Sequence, residues 1–127
     1  MDNRKHMADL HNENANWIDS LNFYKDQIET LTNRLGEVAV KYTDKEISAQ
    51  IEHLQNQLIR QKEVLDELKH EIKLDDKALA ENAKDNPVAS DHRLFADHPE
   101  LRDKVATYEK LFKELKEEFD RFLSKTM

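Results

Sequence analysis

The chain has 127 residues, 37% of them charged, a net charge of −7 and no cysteine. That length suits one domain, residues 1–127, with a modest core, and one glycine with two prolines are too few turn residues for a sheet architecture. The lack of cysteine excludes disulfides, thiolate metal ligands and thiol nucleophiles. The acidic excess is spread evenly along the chain and leaves no basic stripe for a phosphate backbone, so no nucleic-acid partner is expected.

Residues 1–6 are polar and are expected to fray. From Met7 the apolar positions Leu10, Trp17, Leu21, Tyr24, Ile28, Leu31, Leu35 and Val38 recur at alternating steps of three and four, with Asn14 taking one place in the series. That spacing lines one face of a helix at a mean period of 3.5, the coiled-coil pattern, and predicts a helix near 5–41. Gly36 falls beside the stripe. It reads either as a close approach by another backbone or as a tolerated weak point near the helix end, and the second is favoured.

The first turn is short. Thr43 followed by Glu46 has the spacing of a capping box, which predicts a helix near 44–84. Its stripe runs Ile47, Ile51, Leu54, Leu58, Gln61, Leu65, Leu68, Ile72, Asp75 and Leu79. A connection of a few residues forces the first two helices to lie antiparallel. Folding them about residues 42–43 brings Tyr24 to Gln61, an expected phenol–amide pair.

Residues 85–97 read as a linker, because Asn86-Pro87 stops a helix, with Leu94 and Phe95 tacking it to the bundle end. Asp97 is expected to cap a third helix near 98–125, with Pro99 in its first turn. Leu101, Val105, Tyr108, Phe112, Leu115, Phe119 and Phe122 form its stripe, and Leu111 and Leu123 widen it. The fold class is all-α: three long antiparallel helices packed as a coiled-coil-like bundle.

The polar members of the stripes mark one end of this bundle. His11, Asn14, His70, Asp75 and Tyr108, with Glu13 and Glu71 nearby, are expected to share that end. They serve either to fix helix register or as a small polar site for a ligand or metal. The register reading is favoured. A carboxylate-bridged di-metal centre needs inward Glu-x-x-His pairs on two helices. The chain has one such match, Glu67 to His70, flanking Leu68 on the outer side. No zinc-type histidine pair, glycine-rich phosphate loop or nucleophile turn is present. No cofactor and no enzymatic activity are therefore expected.

Phe23 and Ile59 fall outside the stripes and at similar levels of the hairpin, which suggests a self-association surface and a homodimer; Ile18 and Val64 are expected to be covered by the third helix. Apolar runs reach only about three residues, against the ~20 needed to span a bilayer, and the start lacks a signal-peptide pattern. A soluble, cytoplasmic protein without a membrane partner is expected. The functional expectation is a non-enzymatic protein–protein interaction or scaffold module. The alternative is a small-ligand or metal-binding bundle using the His11, Asn14, His70 and Tyr108 end.

Overall fold

The computed structural model describes the backbone at residues 3–85 and 92–126, and side chains at 6–81 and 98–126. Three helices follow one another: α1 (Asn3–Lys41), α2 (Lys45–Asp85) and α3 (His92–Thr126). Each spans roughly 50–60 Å at ~1.5 Å per residue. They pack side by side as an all-α bundle, with α2 central; α1 and α3 approach each other less closely than either approaches α2.

The heptad positions supply the core. Leu21, Ile28, Leu35, Leu58, Leu65, Ile72 and Phe119 are all 3% exposed or less and belong to one cluster running along most of the bundle. Aromatic groups from α3 fill the space between the aliphatic walls: Tyr24 lies 4.9 Å from Phe112 and 6.0 Å from Tyr108, ring centre to ring centre. A second, smaller apolar cluster of Met7, Leu10 and Leu79 closes one end. Gly36 has nothing within 4 Å of where a Cβ would stand, among the described residues, so it is a weak point in α1 and not a point of close approach.

Five details depart from the sequence expectations. The α2 cap is Asp44, not Thr43: Asp44 Oδ1 accepts hydrogen bonds from the backbone N–H groups of Glu46, at 2.8 Å, and Ile47, at 3.4 Å. An aspartate one residue later satisfies the same orphan amides and adds a charge at the positive end of the helix dipole. At the other end, α1 is already helical at Asn3, inside the segment expected to fray.

The third helix starts at His92, so residues 92–97 are helix rather than linker, and Pro99 lies inside it. Asp97 is therefore not the cap; its side chain, like those of Leu94 and Phe95, lies outside the described residues, as do residues 86–91. An internal proline removes one helical hydrogen bond and disfavours helical geometry at the residue before it. That residue is His98, and tertiary contacts hold it.

The expected Tyr24–Gln61 pair does not form. The Tyr24 ring packs instead against Tyr108 and Phe112 of α3, and Gln61 Oε1 has no partner among the described residues. Ile18 is half-buried and lines a shallow groove walled by α1 and α2, not by α3, whereas Val64 does lie in the cleft between α2 and α3.

Candidate functional site

Between the main core and the small Met7 cluster lies a layer of polar side chains to which all three helices contribute. Asn14 comes from α1, Asp75 from α2 and His98 from α3, and they are 1%, 8% and 1% exposed. His98 Nδ1 lies 2.9 Å from Asp75 Oδ2, and His98 Nε2 lies 2.6 Å from Glu13 Oε1. Asn14 donates from Nδ2 to the same Asp75 oxygen at 3.0 Å and to Asp76 at 3.4 Å. His11 Nδ1 stands 2.7 Å from Asp76, at a largely exposed position. Trp17 stacks on the His98 ring, with centroids 4.9 Å apart and planes inclined by 24°.

The outer edge of this layer is fastened by Arg102, which donates from Nε and Nη2 to the two oxygens of Glu13, at 2.9 and 2.7 Å. Paired N–H bonds of this kind are among the stronger charge-assisted contacts. The Arg102 pair, opposed by desolvation and reinforced by His98, holds the Glu13 carboxyl below its usual value of 4.5. Burying charges is costly unless they are paired and hydrogen-bonded; here the buried Asp75 carboxylate and both His98 ring nitrogens have partners. The exception is neutral: Asn14 Oδ1 has none among the described residues.

Of the residues expected at this end, the structure brings His11, Asn14 and Asp75 together, and Glu13 with them. It does not bring in His70, which is exposed on α2, or Tyr108, which packs against Tyr24 and Phe112. Glu71 pairs with Lys104 at 3.1 Å, outside the layer. His98 and Arg102 were missed. A signal for His98 exists: stepping back three residues from Leu101 continues the α3 stripe onto it. Among the described residues, no three His, Asp or Glu side chains are placed to hold a metal ion together.

A second feature lies along the α2/α3 side. An open groove of about 630 Å³ is bordered by Gln61, Val64, Leu68, Lys104, Tyr108 and Leu111. Leu111 is 46% exposed, and Leu74, which lines the continuation of this cleft beyond the Glu71–Lys104 bridge, is 54% exposed. Two side chains of the groove carry buried polar atoms with no hydrogen-bond partner among the described residues, Gln61 Oε1 and the Tyr108 hydroxyl. Burial, with the charges of Asp66 and Tyr24 nearby, pushes the Tyr108 phenol well above its usual range.

Phe23 and Ile59 are both 58% exposed, but they stand on different faces. Ile59 lines a groove between α1 and α2 with Lys25, Thr32 and Lys62. Phe23 stands about 160° around α1 from Leu21, by the ~100° step of an α-helix.

No described helix is long and apolar enough to cross a membrane. Comparison with protein-family models, with curated proteins and with solved structures finds no match to this chain.

Proposed function

We propose that this chain is a non-enzymatic interaction module that holds an amphipathic helix of a partner protein in the groove between α2 and α3. The observation that carries the reading is the coincidence, in one groove, of exposed Leu111 with two residues whose buried polar atoms have no hydrogen-bond partner among the described residues. An unsatisfied buried polar atom costs about 1–3 kcal/mol, a cost relieved when either side chain turns outward to meet a partner in the groove.

The shape supports a helix as occupant. The cleft and its continuation run from the level of Gln57 to that of Ala78 on α2, about 30 Å of helix at ~1.5 Å per residue. That is enough for the i, i+3, i+4, i+7 anchors of helix-in-groove recognition. Its rim carries Glu67, Glu71, Glu100 and Asp103 against Arg60 and Lys104, so the fitting partner has basic residues beside its apolar stripe.

A photo-cross-linking side chain at exposed Thr107 tests this in the native cell. The expected product is a basic amphipathic segment of another protein, lost with Leu111→Glu and kept with Phe23→Glu. Capture indifferent to Leu111→Glu overturns the groove as the working surface. Cross-links only between copies of this chain would support the second reading, a homodimer, with its interface at the groove and not at exposed Phe23 or Ile59. Sedimentation equilibrium at micromolar concentration would then show a species of twice the 15.0 kDa chain.

A further inference from the structure

His98 is nearly fully buried, and both its ring nitrogens face carboxylates, Asp75 on α2 at 2.9 Å and Glu13 on α1 at 2.6 Å. A neutral imidazole has one N–H and one lone pair, so it can donate to only one of them. The other nitrogen would then set its lone pair against a carboxylate oxygen inside a weakly screened layer. Only the imidazolium, with two N–H groups, satisfies both contacts.

The surroundings keep the carboxylates as acceptors. Glu13 is held by two N–H groups of Arg102, and Asp75 Oδ2 also accepts from Asn14. The charged and titratable groups around the ring are thus Glu13 from α1, Asp75 from α2 and Arg102 from α3 itself. Asp76 and His11 pair with each other one contact further out. Counted without His11, the layer has three carboxylates against Arg102 and His98, so removing the His98 proton deepens a negative excess.

The position of this contact in α3 matters as much as its chemistry. Pro99 follows directly, and there the helix lacks one backbone hydrogen bond and is intrinsically weakest. The segment before it, from His92 to His98, is two turns long. Its last residue is pinned to both other helices through the imidazolium.

We propose that His98 is a proton-operated pin. While the ring carries both protons, the start of α3 is fastened to the α1–α2 hairpin. When a proton is lost as pH rises, the contact turns repulsive and the start of α3 swings out about Pro99, leaving the rest of the bundle folded. This inference rests on the polar layer alone and does not depend on the groove between α2 and α3.

The chain contains its own reporter. Trp17, the single tryptophan, stacks on the His98 ring, and an imidazolium quenches indole emission more strongly than a neutral imidazole. Emission of the intact chain is followed from about pH 5.5 to about pH 9.5, a range that brackets the ~6.5 of a free imidazole and stops short of the ~10 of tyrosine. The expected result is a rise with a red shift, with far-ultraviolet circular dichroism nearly unchanged. The transition is kept in His11→Gln and absent in His98→Gln.

A flat profile in the wild-type chain, or a transition that survives His98→Gln, overturns the proposal. Should His98→Gln fail to fold, ¹⁵N spectra of the wild-type imidazole decide. Two protonated nitrogens at the low end and one at the high end, changing together with the emission, are expected. A ring whose state is constant across the range overturns the pin. Amide hydrogen exchange, corrected for the intrinsic effect of pH, locates the motion. Protection is expected to fall at residues 95–98, the first with helical N–H bonds, and to hold at 105–122; loss in both segments at once means general unfolding and rejects the hinge.

Discussion

The polar layer of Asn14, Asp75 and His98 and the aromatic middle of Tyr24, Gln61 and Tyr108 stand on the same three helices, yet they treat buried polar atoms in opposite ways. In the polar layer, polar side chains from three helices meet one another within 3.0 Å, and Arg102 closes the set from outside. In the aromatic middle, Gln61 Oε1 and the Tyr108 hydroxyl are buried without a partner among the described residues. The difference lies in what fills the layer. A histidine ring is short and offers two polar atoms in its plane, so it can bridge two helices. The large rings of Tyr108 and Phe112 occupy the middle with apolar surface and keep polar ends apart.

One layer consequently fixes register: moving any helix by a residue would leave an unpaired buried charge. The other layer is tolerant of register and supplies the area that keeps the bundle folded. Stability and specificity are thus divided along the axis, with the small Met7, Leu10 and Leu79 cluster set apart from the main core by the ionic layer.

The largest expected effect falls on the apolar side of this contrast. Phe119→Ala, at a position 0% exposed, should lose about 3–5 kcal/mol in urea denaturation through lost burial and the cavity left behind. Asp75→Ala should lose about 3 kcal/mol in the same assay, because it strands the His98 ring nitrogen and the Asn14 amide inside the layer. If Asp75→Ala costs nothing, the layer is not under ionic constraint and the contrast collapses.

Glu13 of the polar layer and the phenols of the aromatic middle should also lose their contributions at opposite ends of the pH scale. Glu13 titrates below its usual 4.5 in the folded chain, so its contribution is complete above that value and is lost as pH falls through the lowered one. Tyr108 and Tyr24 are raised above 10.0. Their contribution is complete below pH ~10 and is lost as pH rises toward the raised values, since the unfolded phenols ionise first. Urea midpoints should therefore fall on both sides of neutrality, and Glu13→Gln should flatten the acid side.

Smaller effects sharpen the picture. Gln61→Leu removes an unpaired buried oxygen and should raise stability by about 1 kcal/mol in thermal or urea melts. The same change would weaken partner capture if the groove uses that atom. At the turn, Asp44→Ala should lose about 1 kcal/mol and Thr43→Ala close to nothing, since Asp44 caps α2.

Much of the bundle was legible in the heptads. The stripes from Met7 to Val38, Ile47 to Leu79 and Leu101 to Phe122 name nearly every buried apolar residue, because helical period and burial are both local consequences of the residue pattern. The polar end was legible in part: Asn14 and Asp75 broke their stripes visibly. His98 did not stand out, because its neighbours Asp97 and Pro99 imitate a helix start.

The sequence by itself determined three helices, their order, the antiparallel hairpin and the face each one buries, since these follow from spacing along one chain. Only the tertiary structure decided which polar atoms meet. Whether Tyr24 bonds Gln61 or packs among the rings of α3, whether Asn14 and Asp75 find a histidine, and whether a proline-bearing helix continues back to His92 depend on the distance and rotation between helices. Those are set by packing of side chains from all three at once, and no single stripe contains them.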